Sequence, residues 1–150
     1  MTDDIRLMFY EVRQMTQEVK KQAGRIKLLL VDDEEGYVNV LSRRMAKRNF
    51  EVTSALSGTG AIEAIRRQDF DVAVLDLKME DMDGIEVLKI FKRVCPSMEV
   101  IMLTGHGSEQ AARDGLSLGA FAYLTKPCDL DDLVNKIRQA CRREGGGTGG

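Results

Sequence analysis

The sequence predicts an α/β fold, a doubly wound five-stranded parallel sheet, and two observations predict it. From residue 26 to residue 143, short apolar runs alternate with longer amphipathic stretches, the pattern of strands joined by crossover helices. The runs IKLLLV and VAVL are apolar at every position rather than at every second one, as in strands covered by helices on both faces. Five units of about this size are too few for an eight-fold barrel.

The first run, IKLLLV (26–31), is too short for an independent helix and reads as a buried strand. YVNVLSRRMAKR (37–48) follows, with Val38, Leu41 and Met45 at helical spacing. The alternation repeats as EVTSAL and GAIEAIRR, DVAVLD and GIEVLKIFKRV, MEVIML and EQAARDGLSL, and FAYLT and LDDLVNKIRQAC. Residues 26–143 are therefore the predicted domain. Residues 1–25 form an expected amphipathic helical extension, because Ile5, Met8, Val12, Met15 and Val19 fall on one heptad seam. That seam suits either pairing with its copy in a homodimer or a helix that docks on its own domain or frays. Residues 144–150, EGGGTGG, have almost no side chains to pack and read as a flexible tail.

Composition narrows the function. With 43% hydrophobic residues among 150, the chain can bury one real core. Lysines and arginines number 22 against 24 acids, so the basic excess expected of a direct nucleic-acid binder is missing. No apolar stretch reaches the roughly 18 residues of a membrane span, and the start is too polar and acidic for a signal peptide. A cytoplasmic protein is expected. Cys95, Cys128 and Cys141 have no metal-binding spacing and read as reduced thiols, and His106 has no ligand partner nearby in sequence.

In an open parallel sheet, functional groups collect beyond the carboxyl ends of the strands. There the sequence places Asp32 and Asp33 after the first strand, Asp76 at the end of the third, Thr104 and Gly105 after the fourth, and Thr125, Lys126 and Pro127 after the fifth. Three clustered carboxylates repel one another and recruit either a proton or a cation. An oxygen-only set suits magnesium or manganese, which leave room for phosphate. A carboxylate beside such an ion can attack a phosphoryl group, with a lysine offsetting charge on the transferred oxygens. Asp76 is the candidate nucleophile, Asp32 and Asp33 the metal acids and Lys126 the countercharge. Taken singly, each has a plainer role: Asp32 and Asp33 as a helix cap, Asp76, Thr104 and Lys126 as turn residues. Their conjunction at successive strand ends favours the site. Glu80 and Asp81 read as solvated loop, and Asp83 with Gly84 as the turn into the next helix.

VDDEE, VAVLDLKMEDMDG, LTG and GAFAYLTKP, in that order, resemble the motifs of the response regulator receiver domain, the chemotaxis-regulator-like module of two-component signalling. The likeness runs from about Ile26 to Cys141. It implies a flavodoxin-like strand order 2-1-3-4-5 and phosphorylation of Asp76 by a histidine kinase or phosphotransfer protein. It also implies magnesium held by Asp33, Asp76 and the Lys78 backbone carbonyl, with Asp32 acting through water and manganese able to substitute. By the same resemblance Thr104 and Tyr123 form the switch, Lys126 binds the phosphoryl group, and the Lys126–Pro127 bond is cis. A downstream protein partner follows, with neither direct nucleic-acid nor membrane contact.

The sequence departs from that family at Glu80, commonly proline, and at Cys128, commonly aromatic. Lys78 and His106, two residues beyond Asp76 and Thr104, stand where side chains tune water access to the phosphoryl group. Period-two alternation would put Phe121 beside Tyr123, where it either enlarges a partner-binding patch or simply packs. Two other functions compete. A hydrolase of the haloacid dehalogenase type wants a second acid two residues after its nucleophile, where Lys78 stands. A receiver-fold binding module that is never phosphorylated would not need every acid, the threonine and the lysine. No output segment follows Cys141, so a stand-alone receiver is expected over a piece of a longer regulator.

Overall fold

A computed structural model describes residues 4–11, 24–105 and 107–145. Five strands, β1 (Ile26–Val31), β2 (Phe50–Ala55), β3 (Val72–Asp76), β4 (Glu99–Thr104) and β5 (Ala122–Thr125), alternate with five helices. The helices are α1 (Glu35–Lys47), α2 (Gly58–Arg67), α3 (Gly84–Val94), α4 (Glu109–Ser117) and α5 (Leu130–Gly145). All neighbouring strands pair in parallel, in the order β2-β1-β3-β4-β5. The chain winds outward from β1 to β2 and then returns to the other side of β1, so the winding reverses between β1 and β3.

Uniformly apolar strands have a simple cause here, because successive side chains enter different cores. Leu28, Leu30, Val72, Val74, Ile101 and Leu103 pack with Val38, Leu41 and Met45 of α1 and Leu133, Val134 and Ile137 of α5. Leu29, Val31, Ala73, Leu75, Val100 and Met102 pack on the opposite face with residues of α2, α3 and α4. A one-residue slip in register would exchange the two sets, so burial on both faces fixes it.

Local chemistry sets the element ends. Asn49 takes a left-handed φ of 73° just past α1, and its N–H donates to the Ala46 carbonyl at 3.2 Å, turning the chain into β2. Ser57 caps α2 by accepting from the Gly60 N–H at 2.9 Å. Asp83 caps α3 by accepting from the Ile85 N–H at 3.0 Å, as its place before Gly84 predicts. Helix α1 begins at Glu35, two residues before the apolar periodicity starts, with Glu35 and Gly36 exposed.

One sequence expectation fails. Phe121 and Tyr123 pack on opposite faces of the sheet, Phe121 against the α1–α5 core and Tyr123 against the α2–α3–α4 core. Phe121 lies just before β5 begins at Ala122, so strand alternation does not govern it. Plain packing accounts for Phe121.

Residues 4–11 are helical. Ile5 and Met8 of the predicted seam are exposed there, but so are Leu7, Phe9 and Tyr10, so the apolar surface is wider than one seam. Val12, Met15 and Val19, and most of the glycine-rich tail, lie outside the described residues. No helix among the described residues is long and apolar enough to cross a membrane.

Candidate functional site

At the switch point, β1 delivers Asp32 and Asp33 beside the end of β3. Asp32 is fully buried; its N–H donates to Ala55 at 3.1 Å and its Oδ1 accepts from the Glu34 N–H at 3.0 Å. Neither aspartate caps α1, whose N-cap is Glu34 without a side-chain bond. Asp76 is the last residue of β3, paired with Leu103 of β4 and only 5% exposed. One carboxylate oxygen from each of Asp32, Asp33 and Asp76 lies within 4.8 Å of the others. Unit charges about 4 Å apart at an effective dielectric near 20 repel by about 4 kcal/mol, so neighbouring acids work against ionisation of Asp76. Burial and the Asp32 carboxylate push Asp76 up to about 6, against the pull of Lys126.

Lys126 brings a positive charge against two of these acids. Its Nζ lies 2.5 Å from Asp32 Oδ2 and 3.7 Å from Asp76 Oδ1. Burial opposes the ammonium, yet its hydrogen bond to Asp32 and the charges of Asp32 and Asp76 hold it above the ordinary lysine value. The Lys126 N–H donates to the Thr104 carbonyl at 2.6 Å, and the Lys126–Pro127 bond is cis, as the motif implies. Thr104 is fully buried with its Oγ1 donating to the Leu124 carbonyl at 3.4 Å, so the hydroxyl is turned toward β5. Tyr123 is half-buried on the α2–α3–α4 side. The Lys78 N–H reaches Asp76 Oδ1 at 3.5 Å. His106 lies outside the described residues.

The β3–α3 loop is tied down on both sides. Glu80 N–H donates to Asp33 Oδ2 at 3.2 Å, fixing the loop to a site acid. Asp81, expected to be merely solvated, instead reaches the start of α2: its carboxylate accepts from the Gly58 and Thr59 N–H groups at 2.9 and 3.0 Å and from Thr59 Oγ1 at 3.0 Å. Those donors hold its carboxyl below the usual range. A helix start offers unpaired N–H groups, and an acid satisfies them. At Gly84 a Cβ would stand 2.5 Å from Leu77 Cα and 2.8 Å from the Asp76 carbonyl oxygen, so only glycine lets α3 pack this close to the acceptor strand.

The sequence reading missed two residues. Asp81 meets Thr59 across 22 positions, and nothing local announces that. Tyr37, in the first turn of α1, sets its ring 4.6 Å from Lys126 Nζ. An aromatic residue one turn beyond the acid pair was the available signal.

A doubly wound sheet with acids gathered where its winding reverses defines a class of α/β modules, and sequence places this chain within it. The family described as "Response regulator receiver domain" matches residues 28–138, and the chain belongs to that family. Among curated proteins, it is 36% identical over 121 residues to the transcriptional regulatory protein GlrR of Escherichia coli (strain K12), covering 81% of this chain and 27% of that one. It is also 36% identical over 115 residues to the transcriptional regulatory protein ZraR of the same strain, covering 77% and 26%. The chain thus spans about a quarter of the length of these relatives. Of solved structures, a response regulator receiver domain protein from Clostridium thermocellum matches with 33% identity and a TM-score of 0.77, covering 79% of this chain and 96% of that one. A CheY-like receiver domain protein from Methanospirillum hungatei JF-1 matches with 28% identity and a TM-score of 0.79, covering 82% and 98%.

Proposed function

We propose that Asp76 accepts a phosphoryl group from the phosphohistidine of a sensor kinase or phosphotransfer protein, and that this event resets a partner-binding surface. The carrying observation is a carboxylate trio within 4.8 Å, with Asp32 and Asp76 buried and Asp33 nearer the surface, bridged by one lysine that touches both Asp32 and Asp76. The donors fit a hard divalent cation: oxygen atoms only, at a site where burial and the Asp32 charge raise Asp76. Asp33, Asp76 and the Lys78 carbonyl would hold magnesium, with Asp32 acting through water, and manganese would serve in its place. When bound, the ion would neutralise charge on the transferred oxygens.

In the transfer, an Asp76 Oδ forms the new bond to phosphorus while the bond from phosphorus to the histidine nitrogen breaks, the imidazole keeping the electron pair. Lys126 exchanges part of its contact with Asp32 for a phosphoryl oxygen. Thr104 Oγ1, now on the Leu124 carbonyl, rotates to donate to another, and Tyr123 moves into the space so altered. A charged ligand thereby selects one of two packings around α4, β5 and α5. The setting is cytoplasmic, and the output is a protein contact.

Incubation with magnesium and acetyl phosphate tests this reading. One phosphoryl group per chain, absent in Asp76→Asn, is expected, together with a change in tyrosine fluorescence. No mass gain would leave an unphosphorylated binding module, and turnover of many substrate equivalents would instead indicate a hydrolase.

A further inference from the structure

We propose that Tyr37 is a positioning residue for phosphoryl transfer, holding the Lys126 ammonium over the acid site with the face of its ring. This rests on the assignment of Asp76 as phosphoacceptor and concerns how Lys126 is held there.

Lysine carries a compact charge on a flexible four-carbon stem and lacks the planar fork by which arginine fixes its own geometry. Its placement must come from its surroundings. On one side of Nζ stand the oxygens of Asp32 and Asp76, at 2.5 and 3.7 Å. On another stands Tyr37, its ring centre 4.6 Å from Nζ, well inside the roughly 6 Å over which a cation is drawn to an aromatic face. The Lys126 side chain is only 20% exposed, so water screens this attraction weakly.

The ring is itself held. Tyr37 lies in the first turn of α1 and packs against the α1–α5 core, as does Cys128, two residues beyond Lys126. Helix α1 thus bears on the lysine through a side chain anchored in a rigid core.

The two kinds of contact differ in what happens when phosphate arrives. An ion pair with Asp32 competes with the phosphoryl oxygens for the ammonium. The ring does not compete, since its quadrupole attracts the cation whichever anion is opposite. Tyr37 therefore keeps Nζ in the same small volume while its anionic partner changes, and it closes one side of the site to water.

Tyr37→Phe keeps the ring and loses the hydroxyl, whereas Tyr37→Leu and Tyr37→Met keep apolar bulk and lose the aromatic face. With acetyl phosphate and magnesium, the rate of Asp76 labelling followed by intact mass should fall about 3- to 10-fold in the Leu and Met variants, the effect of losing one partly desolvated cation–π contact. Phe should restore most of it. The ε-methylene protons of Lys126 should show an upfield ring-current shift by NMR in wild type and Phe, and not in Leu or Met, whether or not phosphate is present. Leu and Met variants that label as fast as wild type would overturn the proposal, and so would a Phe variant as slow as Leu. An unshifted wild-type Lys126 would remove the stacking on its own. A folded wild-type chain with the ring-current shift but no labelling would instead overturn the Asp76 reading, and this role with it.

Discussion

Replacing Asp76 by Asn should stabilise the metal-free protein, by an amount that depends on pH. Asp76 is 5% exposed and shares its site with Asp32 and Asp33. Burial and Asp32 raise its pKa from 3.8 to about 6, which corresponds to about 3 kcal/mol against the ionised form. Partial solvent relaxation lowers the expected gain to about 2 kcal/mol. The sign follows from proton binding. Between pH 3.8 and about 6, the folded chain retains a proton that the unfolded chain has released, so wild-type stability falls as pH rises through this window. Asn does not ionise and escapes the fall. In EDTA, urea unfolding at pH 7.5 should therefore show a midpoint about 1 M higher for Asp76→Asn, given a slope of about 2 kcal/mol per M. The difference should shrink steadily as pH drops and nearly vanish at pH 4. An Asn variant no more stable at pH 7.5, or a gain equal at both pH values, would refute the claim that crowding and burial strain this carboxylate.

Chelation of divalent ions should abolish labelling by acetyl phosphate, and magnesium should raise the wild-type urea midpoint far more than that of Asp76→Asn. Gly84→Ala should destabilise by about 1–3 kcal/mol in urea and slow labelling, because its Cβ would meet the backbone of Leu77 at 2.5 Å. Asp81→Ala should speed amide exchange at Gly58 and Thr59, whose N–H groups it now accepts, while leaving β1 and β3 protected. Phe121→Ala should lose about 2 kcal/mol of stability through packing against the α1–α5 core, without changing the affinity of copies for one another.

Much of the fold was legible because its rules are local. Val38, Leu41 and Met45 declared a helix by spacing, and LLLV and VAVL declared two-faced burial by the absence of polar residues. The acids were legible too, since a parallel sheet puts every strand's carboxyl end on one edge. What escaped were contacts between segments far apart in sequence. Asp81 looked like solvated loop because its partners, the bare N–H groups of Gly58 and Thr59, come from a different crossover. Tyr37 looked like an ordinary helix residue until the fold set it over Lys126. Phe121 was misplaced for a different reason, because alternation applies only inside a strand and β5 starts one residue later.

Peptide mapping after brief exposure to magnesium and acetyl phosphate, with borohydride reduction to trap the acyl phosphate, tests the role of Asp76 most directly. The modified residue should be Asp76 alone, with none trapped in EDTA. Reduction at Asp32 or Asp33 instead, or trapping that persists without divalent ions, would contradict it.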